Sequence, residues 1–385
     1  MGVRKRGKGW LVTVEMGRDP TTGRRRRTYL TAPTRREAER EEAKLRHEAA
    51  TGLDLEPTKI SLAEYLKRWL DTRRSNLAPS TYRRYGDLLR HQVLPHIGTI
   101  PLSKLRPLHV QQLYARLQEI GRADGKGGIS PRTLLHVHRL LSEALGQAVR
   151  WQIIPRNVCQ AVEAPQARRA EMRTLSLEET RGLLEAAKAE DTAHGDAVIL
   201  ALHTGLRLGE LLGLRWDDLD LELGRMTVRR TLQYLPGEGI AYREPKTGRS
   251  RRTIPLGATA LEALRRVRRR QLEERLALGP GYCDSGVVFA DALGRPLPPY
   301  RVSQRFPALV KRLGLAPLRF HDLRHTHASL LLARGVHPKI VSERLGHASI
   351  AITLDTYSHV LPNLQEEAAR DLDAWLSNTT EALQG

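Results

Sequence analysis

His321-Asp322-Leu323-Arg324-His325 is the stretch from which the C-terminal half of the chain is read. Its spacing is that of one helical face: residues 321, 324 and 325 fall at i, i+3 and i+4, while Leu323, Leu330 and Leu331 point elsewhere. Downstream comes Leu345-Gly346-His347-Ala348-Ser349-Ile350-Ala351-Ile352-Thr353-Leu354-Asp355-Thr356-Tyr357. Here Gly346 predicts a helix end, His347 falls in the turn, Ser349 suits the cap of a further helix, and Tyr357 sits at or near that helix's end. Upstream, Thr204-Gly205-Leu206-Arg207-Leu208-Gly209-Glu210-Leu211 sets Arg207 and Glu210 three apart on one face, with leucines on the other. Pro245-Lys246-Thr247-Gly248 lies between two strand-like segments, which predicts Lys246 on a hairpin tip.

Each stretch alone has an ordinary reading. An Arg–Glu pair on a helix surface contributes little. A hairpin lysine is usually solvated, and most tyrosines pack half-buried. His321 and His325 have the spacing of a zinc protease, but Arg324 on the same face would repel a metal and the glutamate of that motif is missing, so no metal is expected. Read together, the four stretches make a coherent set. Two arginines can grip a phosphate with their forked donors. A lysine and histidines can move protons, and a tyrosine can form a covalent intermediate. The set suits attack on a phosphodiester by tyrosine.

Composition agrees. The 385 residues carry a net charge of +20, which favours a polyanionic partner, nucleic acid or an anionic membrane. No apolar run approaches the ~18 residues of a membrane span, and the basic N-terminus lacks the apolar core of a secretory signal. Nucleic acid is therefore the expected partner and no membrane contact is expected. Cys159 and Cys283 form no metal-spacing motif and no disulfide framework, which fits a reducing cytoplasm.

The pattern predicts an α+β chain, mostly α, in three domains. Residues 1–57 read as a small β-sheet plus helix. Trp10 to Val14 forms one strand, Arg24 to Leu30 pairs back on it, and Thr34 caps a helix from Arg35 to about Ala49 with Glu37 completing a capping box. Lys5, Lys8, Arg24, Arg25, Arg26 and Arg27 supply cations that such a sheet would place on one surface. They serve either as a charged edge that discourages aggregation or as a sheet that reads a DNA groove.

Residues 58–167 read as helices, one capped by Ser61, one opened by Pro79, then Leu108 to Ile120 and Pro131 to Trp151. Arg83, Arg84, Arg132 and Arg139 decorate their outer faces, as a solubilising surface or as DNA contacts. Residues 168–385 read as a mixed domain, opened by a capping box at Ser176 and Glu179. A small sheet is inserted in it, with strands at Met226 to Arg229 and Arg252 to Pro255. Leu364 to Leu376 reads as an amphipathic helix that packs on its own domain or on a neighbouring copy.

In these residues the chain resembles the tyrosine recombinases of the phage-integrase kind, whose motifs run Arg, Lys, His, Arg, His or Trp, Tyr. Arg207 stands in the T-G-L-R-x-G-E-L box, Lys246 in P-K-T, His321 and Arg324 in H-x-L-R-H, His347 in L-G-H and Tyr357 in D-T-Y. The resemblance implies a site-specific DNA recombinase, an integrase of a phage or mobile element. Tyr357 would attack a DNA phosphate to give a 3′-phosphotyrosine, with Arg207 and Arg324 stabilising the charge. Lys246 would protonate the leaving 5′-oxygen, His321 would assist proton transfer or bond the phosphate, and His347 would bond it too. Glu210 and His325 would support these groups.

The resemblance further implies no cofactor. It gives residues 58–167 to core-type sites on double-stranded DNA and residues 1–57 to arm-type sites. A homotetramer would form on DNA, with an excision factor or host DNA-bending protein as further partners, in a cytoplasmic, nucleoid-associated setting. Two other readings stand beside it: a type IB-like topoisomerase, and a DNA-binding regulator without catalysis.

Overall fold

In the computed structural model, the described residues are 2–7, 9–18, 25–50, 60–122, 125, 127–167, 172–244, 251–357, 369–370 and 372–374. The chain divides into two compact units, Met1–Arg169 and Ala170–Gly385. The α+β, mostly helical architecture expected from the pattern is the one observed.

The first unit opens with an antiparallel sheet of β1 (Gly2–Arg6), β2 (Gly9–Arg18) and β3 (Arg25–Ala32), followed by α1 (Arg35–Ala50). Thr34 caps α1, accepting the amide of Glu37 at 3.3 Å. Val12, Val14, Ala32 and Ala38 form a small core. Strand β1 was not anticipated, because Gly2-Val3-Arg4-Lys5-Arg6 has one apolar residue and gains its conformation by pairing with β2. The register also corrects the expectation of one basic surface. Lys5 pairs with Trp10 and Trp10 with Ala32, whereas Arg27 pairs with Glu15. Side chains alternate between faces, so Lys5 and Arg27 lie on opposite sides. Arg4 and Arg6 share the Arg27 face, together with the exposed Tyr29. Lys8 and Arg24 lie outside the described residues, as do the side chains of Arg25 and Arg26.

The rest of this unit is helical: α2 (Leu62–Thr72), α3 (Pro79–Leu88), a π-helical turn at Leu89–Val93, α4 (Leu94–Ile97), α5 (Pro107–Ile120) and α6 (Pro131–Arg150). Ser61 and Glu64 close a reciprocal capping box on α2, and Ser130 caps α6. Tyr65, Trp69, Leu113, Leu134 and Leu141 lie in one core, so the aromatic residues here pack rather than present themselves to bases. Each such side chain contributes roughly 1.5–3 kcal/mol by burial. Arg84 on α3 and Arg132 and Arg139 on α6 are exposed, and all three charges act on the ring of His136. Partial burial, then these arginines, hold that histidine below its ordinary range. Arg83 is half-buried.

The second unit runs α7 (Leu177–Ala189), α8 (Ala193–Thr204), α9 (Leu208–Leu212), β4 (Leu219–Asp220), β5 (Arg225–Val228), β6 (Thr231–Leu235), β7 (Gly239–Arg243), β8 (Arg252–Pro255), α10 (Ala258–Leu278), α11 (Pro299–Arg312), α12 (Asp322–Ala333), α13 (Pro338–Leu345) and α14 (Ile350–Tyr357). Strands order as β4-β5-β8, with β6-β7 a separate hairpin. Helix α8 is buried along nearly its whole length and forms the centre of the core. Its neighbours α9 and α12 reach the site from two sides. The amphipathic helix expected at Leu364 to Leu376 lies mostly outside the described residues.

Candidate active site

Helix α8 ends on Gly205, at φ +67°. A Cβ there would meet Leu345 and His327 at 2.6 and 2.7 Å, so conformation and close packing both call for glycine. The tight ending leaves the Gly205 carbonyl facing α12. Arg324, in the first turn of α12 and 3% exposed, donates to it through Nη1 at 2.8 Å. Its Nη2 donates to the carbonyl of Leu345 at 2.7 Å. These two bonds fix the guanidinium without neutralising it. Burial, then the charge of Arg207, push its pKa down to about 9, so it remains charged at neutral pH.

Arg207 stands at the N-cap of α9 and shares the carboxylate of Glu210. Its amide donates to Glu210 Oε2 at 3.1 Å and its Nη1 to Oε1 at 2.7 Å. Glu210 is 6% exposed and holds a second cation, Arg252 on β8, whose Nη2 donates to Oε2 at 2.9 Å. Burial works against this carboxylate, but Arg252 and Arg207 outweigh it and hold the pKa below the ordinary value. Arg207 keeps 42% of its side chain exposed, whereas Arg252 keeps 7%. One acid thus anchors an outward-facing arginine and a buried one.

Helix α13 ends on Gly346, also left-handed, with its amide on Glu343 and the amide of His347 on Ser342. The last carbonyls of α13 receive cations, as its dipole favours: Arg252 Nε donates to Arg344 O at 2.7 Å, and Arg324 to Leu345 O. The turn projects His347, whose Nδ1 lies 2.8 Å from Thr353 Oγ1. Burial, then Arg324 and Arg207, lower its pKa to about 4.

Tyr357 is the final residue of α14. It is 1% exposed, packed among Ala328, Leu332, Val341 and Leu345. Its hydroxyl lies 2.7 Å from Nδ1 of His325. Burial raises the phenol to about 12, with Arg324 opposing. Burial and the neighbouring His321 lower His325 to about 4, so at neutral pH the pair holds one proton on the phenol and a neutral ring beside it. His321, exposed at the start of α12, sets its ring edge-on to His325 with centroids 5.1 Å apart. Desolvation, then Arg324 and Arg207, lower its pKa.

Arg207, Glu210, His321, Arg324, His325, His347 and Tyr357 therefore gather around one cluster. Lys246 lies outside the described residues. The strands on either side of it belong to different sheets, β7 to the β6 hairpin and β8 to the β4-β5 sheet. The hairpin tip expected at Lys246 falls in the same stretch, residues 245–250, and likewise lies outside the described residues. Two features escaped the motif reading. One is that His325, rather than His321, meets the tyrosine hydroxyl. The other is Arg252. Its signal was strand parity: it shares a face with Ile254, opposite the buried Val228, and an arginine pointing inward needs an acid.

The tyrosine, histidines and arginines cluster at helix ends, and no group of three or more side chains that could hold a metal ion occurs among the described residues. The profile of the phage integrase family matches residues 173–363, and that of the phage integrase N-terminal SAM-like domain matches residues 61–118. A tyrosine recombinase XerC-like protein of Caldanaerobacter subterraneus subsp. tengcongensis is 30% identical over 393 residues, covering 96% of this chain and 97% of its own. The ICEBs1 integrase of Bacillus subtilis strain 168 is 29% identical over 374 residues, covering 97% and 99%.

In fold, the chain resembles the Tn1549 transposon integrase in complex with a circular intermediate DNA. The TM-score is 0.66 at 22% identity, over 81% of this chain and 99% of the other. It also resembles a lambda integrase tetramer bound to a Holliday junction, at TM-score 0.57 and 22% identity, over 90% and 96%. The chain belongs to the phage integrase family of tyrosine recombinases. It is a site-specific DNA recombinase that cleaves and rejoins strands, and no helix among the described residues is long and apolar enough to cross a membrane.

Proposed function

We propose that the protein recombines DNA through covalent attachment to Tyr357, in the cluster built from α8, α9, α12, α13 and α14. The observation that carries this reading is the 2.7 Å contact of Tyr357 Oη with His325 Nδ1, beside the buried charge of Arg324. Arg207 and Arg324 bind the non-bridging oxygens of the scissile phosphate and stabilise the charge that grows on them. The Tyr357 oxygen bonds to phosphorus as the bond to the 5′-oxygen breaks. The phenol proton passes to His325, and Lys246 supplies a proton to the 5′-oxygen. His321 and His347 donate to the phosphate. When the Thr353 hydroxyl donates to Nδ1 of His347, the ring proton sits on Nε2, the nitrogen left to face DNA. The phosphotyrosine keeps the energy of the broken bond, so attack by a 5′-hydroxyl reverses the step without a nucleotide cofactor.

Burial depresses the histidines first, and positive neighbours add to it, His321 on His325 and the arginines on His321 and His347. A DNA phosphate brings the opposing charge and raises their basicity, so the base becomes competent when substrate arrives. We place core-type DNA on residues 58–167, where Arg84, Arg132 and Arg139 gather around His136. Arm-type DNA falls to residues 1–57, and four copies assemble on a junction. The test is a pair of circular DNAs that each carry the element's attachment site. Recombinant product supports the proposal, whereas relaxation alone would move the protein to the topoisomerase reading.

A further inference from the structure

We propose that Arg252 is a positioning residue for recombination, setting the stance of Arg207 through their shared carboxylate. The proposal rests on Arg207 being a phosphate-binding group. Arg252 does not itself face DNA, since 7% of its side chain is exposed. Two of its donors are directed inward, Nη2 to Glu210 Oε2 at 2.9 Å and Nε to Arg344 O at 2.7 Å. A Cβ at Gly346 would stand 2.7 Å from Arg252 Nη1, so the guanidinium lies flush against the turn that precedes His347.

The consequence is geometric. Glu210 meets Arg207 with both oxygens, the side chain at Oε1 and the amide at Oε2, and Arg252 shares Oε2, so the buried arginine ties the carboxylate to β8 and braces the plane that Arg207 leans on. That plane in turn decides where the outward guanidinium points. Without Arg252, Glu210 keeps only the amide and the side chain of Arg207, so the Arg207–Glu210 pair loses its brace to β8 and the end of α13 and can shift as a unit. A forked donor misplaced by even an ångström loses much of its value to a transition state. Arg252 also sits on the strand that begins six residues after Lys246, and it bonds the end of α13 just ahead of His347. It therefore joins three stretches that each deliver a group to the reaction. Ground-state DNA affinity depends little on this fine placement, because many phosphate contacts share it.

The test is single-turnover cleavage of the nicked core-site duplex on which wild type forms its adduct. It compares Arg207→Ala, Arg252→Gln, Arg252→Lys and the double variants, with DNA affinity and melting temperature measured for each. Arg252→Gln should cleave about tenfold or more slower with DNA affinity within about twofold of wild type. Arg252→Lys should recover part of the loss. In the Arg207→Ala background either Arg252 change should cost less than about twofold, because the group it positions is gone. Equal losses in both backgrounds, or no loss in either, would overturn the proposal. If the glutamine variant does not fold, the lysine variant carries the same comparison. A wild-type rate in Arg207→Ala alone would instead refute the phosphate-binding reading beneath it.

Discussion

Tyr357 and His325 face each other across two helices, Oη to Nδ1 at 2.7 Å, with the phenol raised to about 12 and the imidazole lowered to about 4. The nucleophile is thus held protonated by its surroundings. Its proton has one short route, onto a ring that becomes a better base only when negative charge enters the site.

Removing that route should slow chemistry and spare binding. His325→Gln keeps a polar group near the phenol but no titratable base. Cleavage should fall by about a hundredfold, in the range of a lost general base, with core-site affinity unchanged. Rapid-quench cleavage and equilibrium binding measure the two. A rate loss matched by lost affinity would point to a packing role instead.

Arg324→Ala should cost on the order of a hundredfold in cleavage, comparable to deleting one donor of an oxyanion hole. Lysine should not restore the rate, because a single ammonium cannot reach both Gly205 O and Leu345 O in the fork geometry now present. Cleavage by wild type should persist in chelator, since the charge comes from side chains. A metal-specific rescue after chelation would contradict that.

Much of this site was legible because its signals are local. Gly346 marks a helix end, Ser61 and Ser176 mark helix starts, and each behaves as its neighbours in sequence dictate. Arg207 with Glu210 is likewise a three-residue relationship. What stayed hidden depends on packing between distant elements. His325 meets Tyr357 only because α12 and α14 pack against the same small cluster. Arg252 finds Glu210 only through the β5–β8 register and the approach of α9. Strand β1, with one apolar residue, exists because β2 offers it partners, and the split of Lys5 from Arg27 follows from that pairing.

Acid should destabilise the second unit. His327 is buried, shares its Nδ1 proton with Leu202 O and accepts from Arg344 at Nε2, and burial lowers it from 6.5 to about 3. The unfolded chain therefore binds a proton that the folded chain refuses between those values. Stability should be level above pH 6.5 and decline below it, by about 1.4 kcal/mol per pH unit for this group. Urea unfolding from pH 7.5 to 4.5 measures the slope, and His327→Gln should flatten it. An unchanged slope in the variant would exonerate this residue.

A protein beginning near Lys59 should still cleave a core site, because all the proposed catalytic residues remain. It should lose affinity for a second, distal class of site. Its salt dependence should flatten by roughly 0.9 in log–log slope for each phosphate contact removed. Coincident slopes and normal integration by the shortened protein would make residues 1–57 a packing element.

The most direct measurement concerns Tyr357 itself. Wild type incubated with a nicked core-site duplex should give a slow-migrating protein–DNA adduct on a denaturing gel, with the DNA fragment carried on the peptide that contains Tyr357. Tyr357→Phe should bind the same duplex and give no adduct. An undiminished adduct from Tyr357→Phe, or DNA attached to another residue, would contradict the account at its centre.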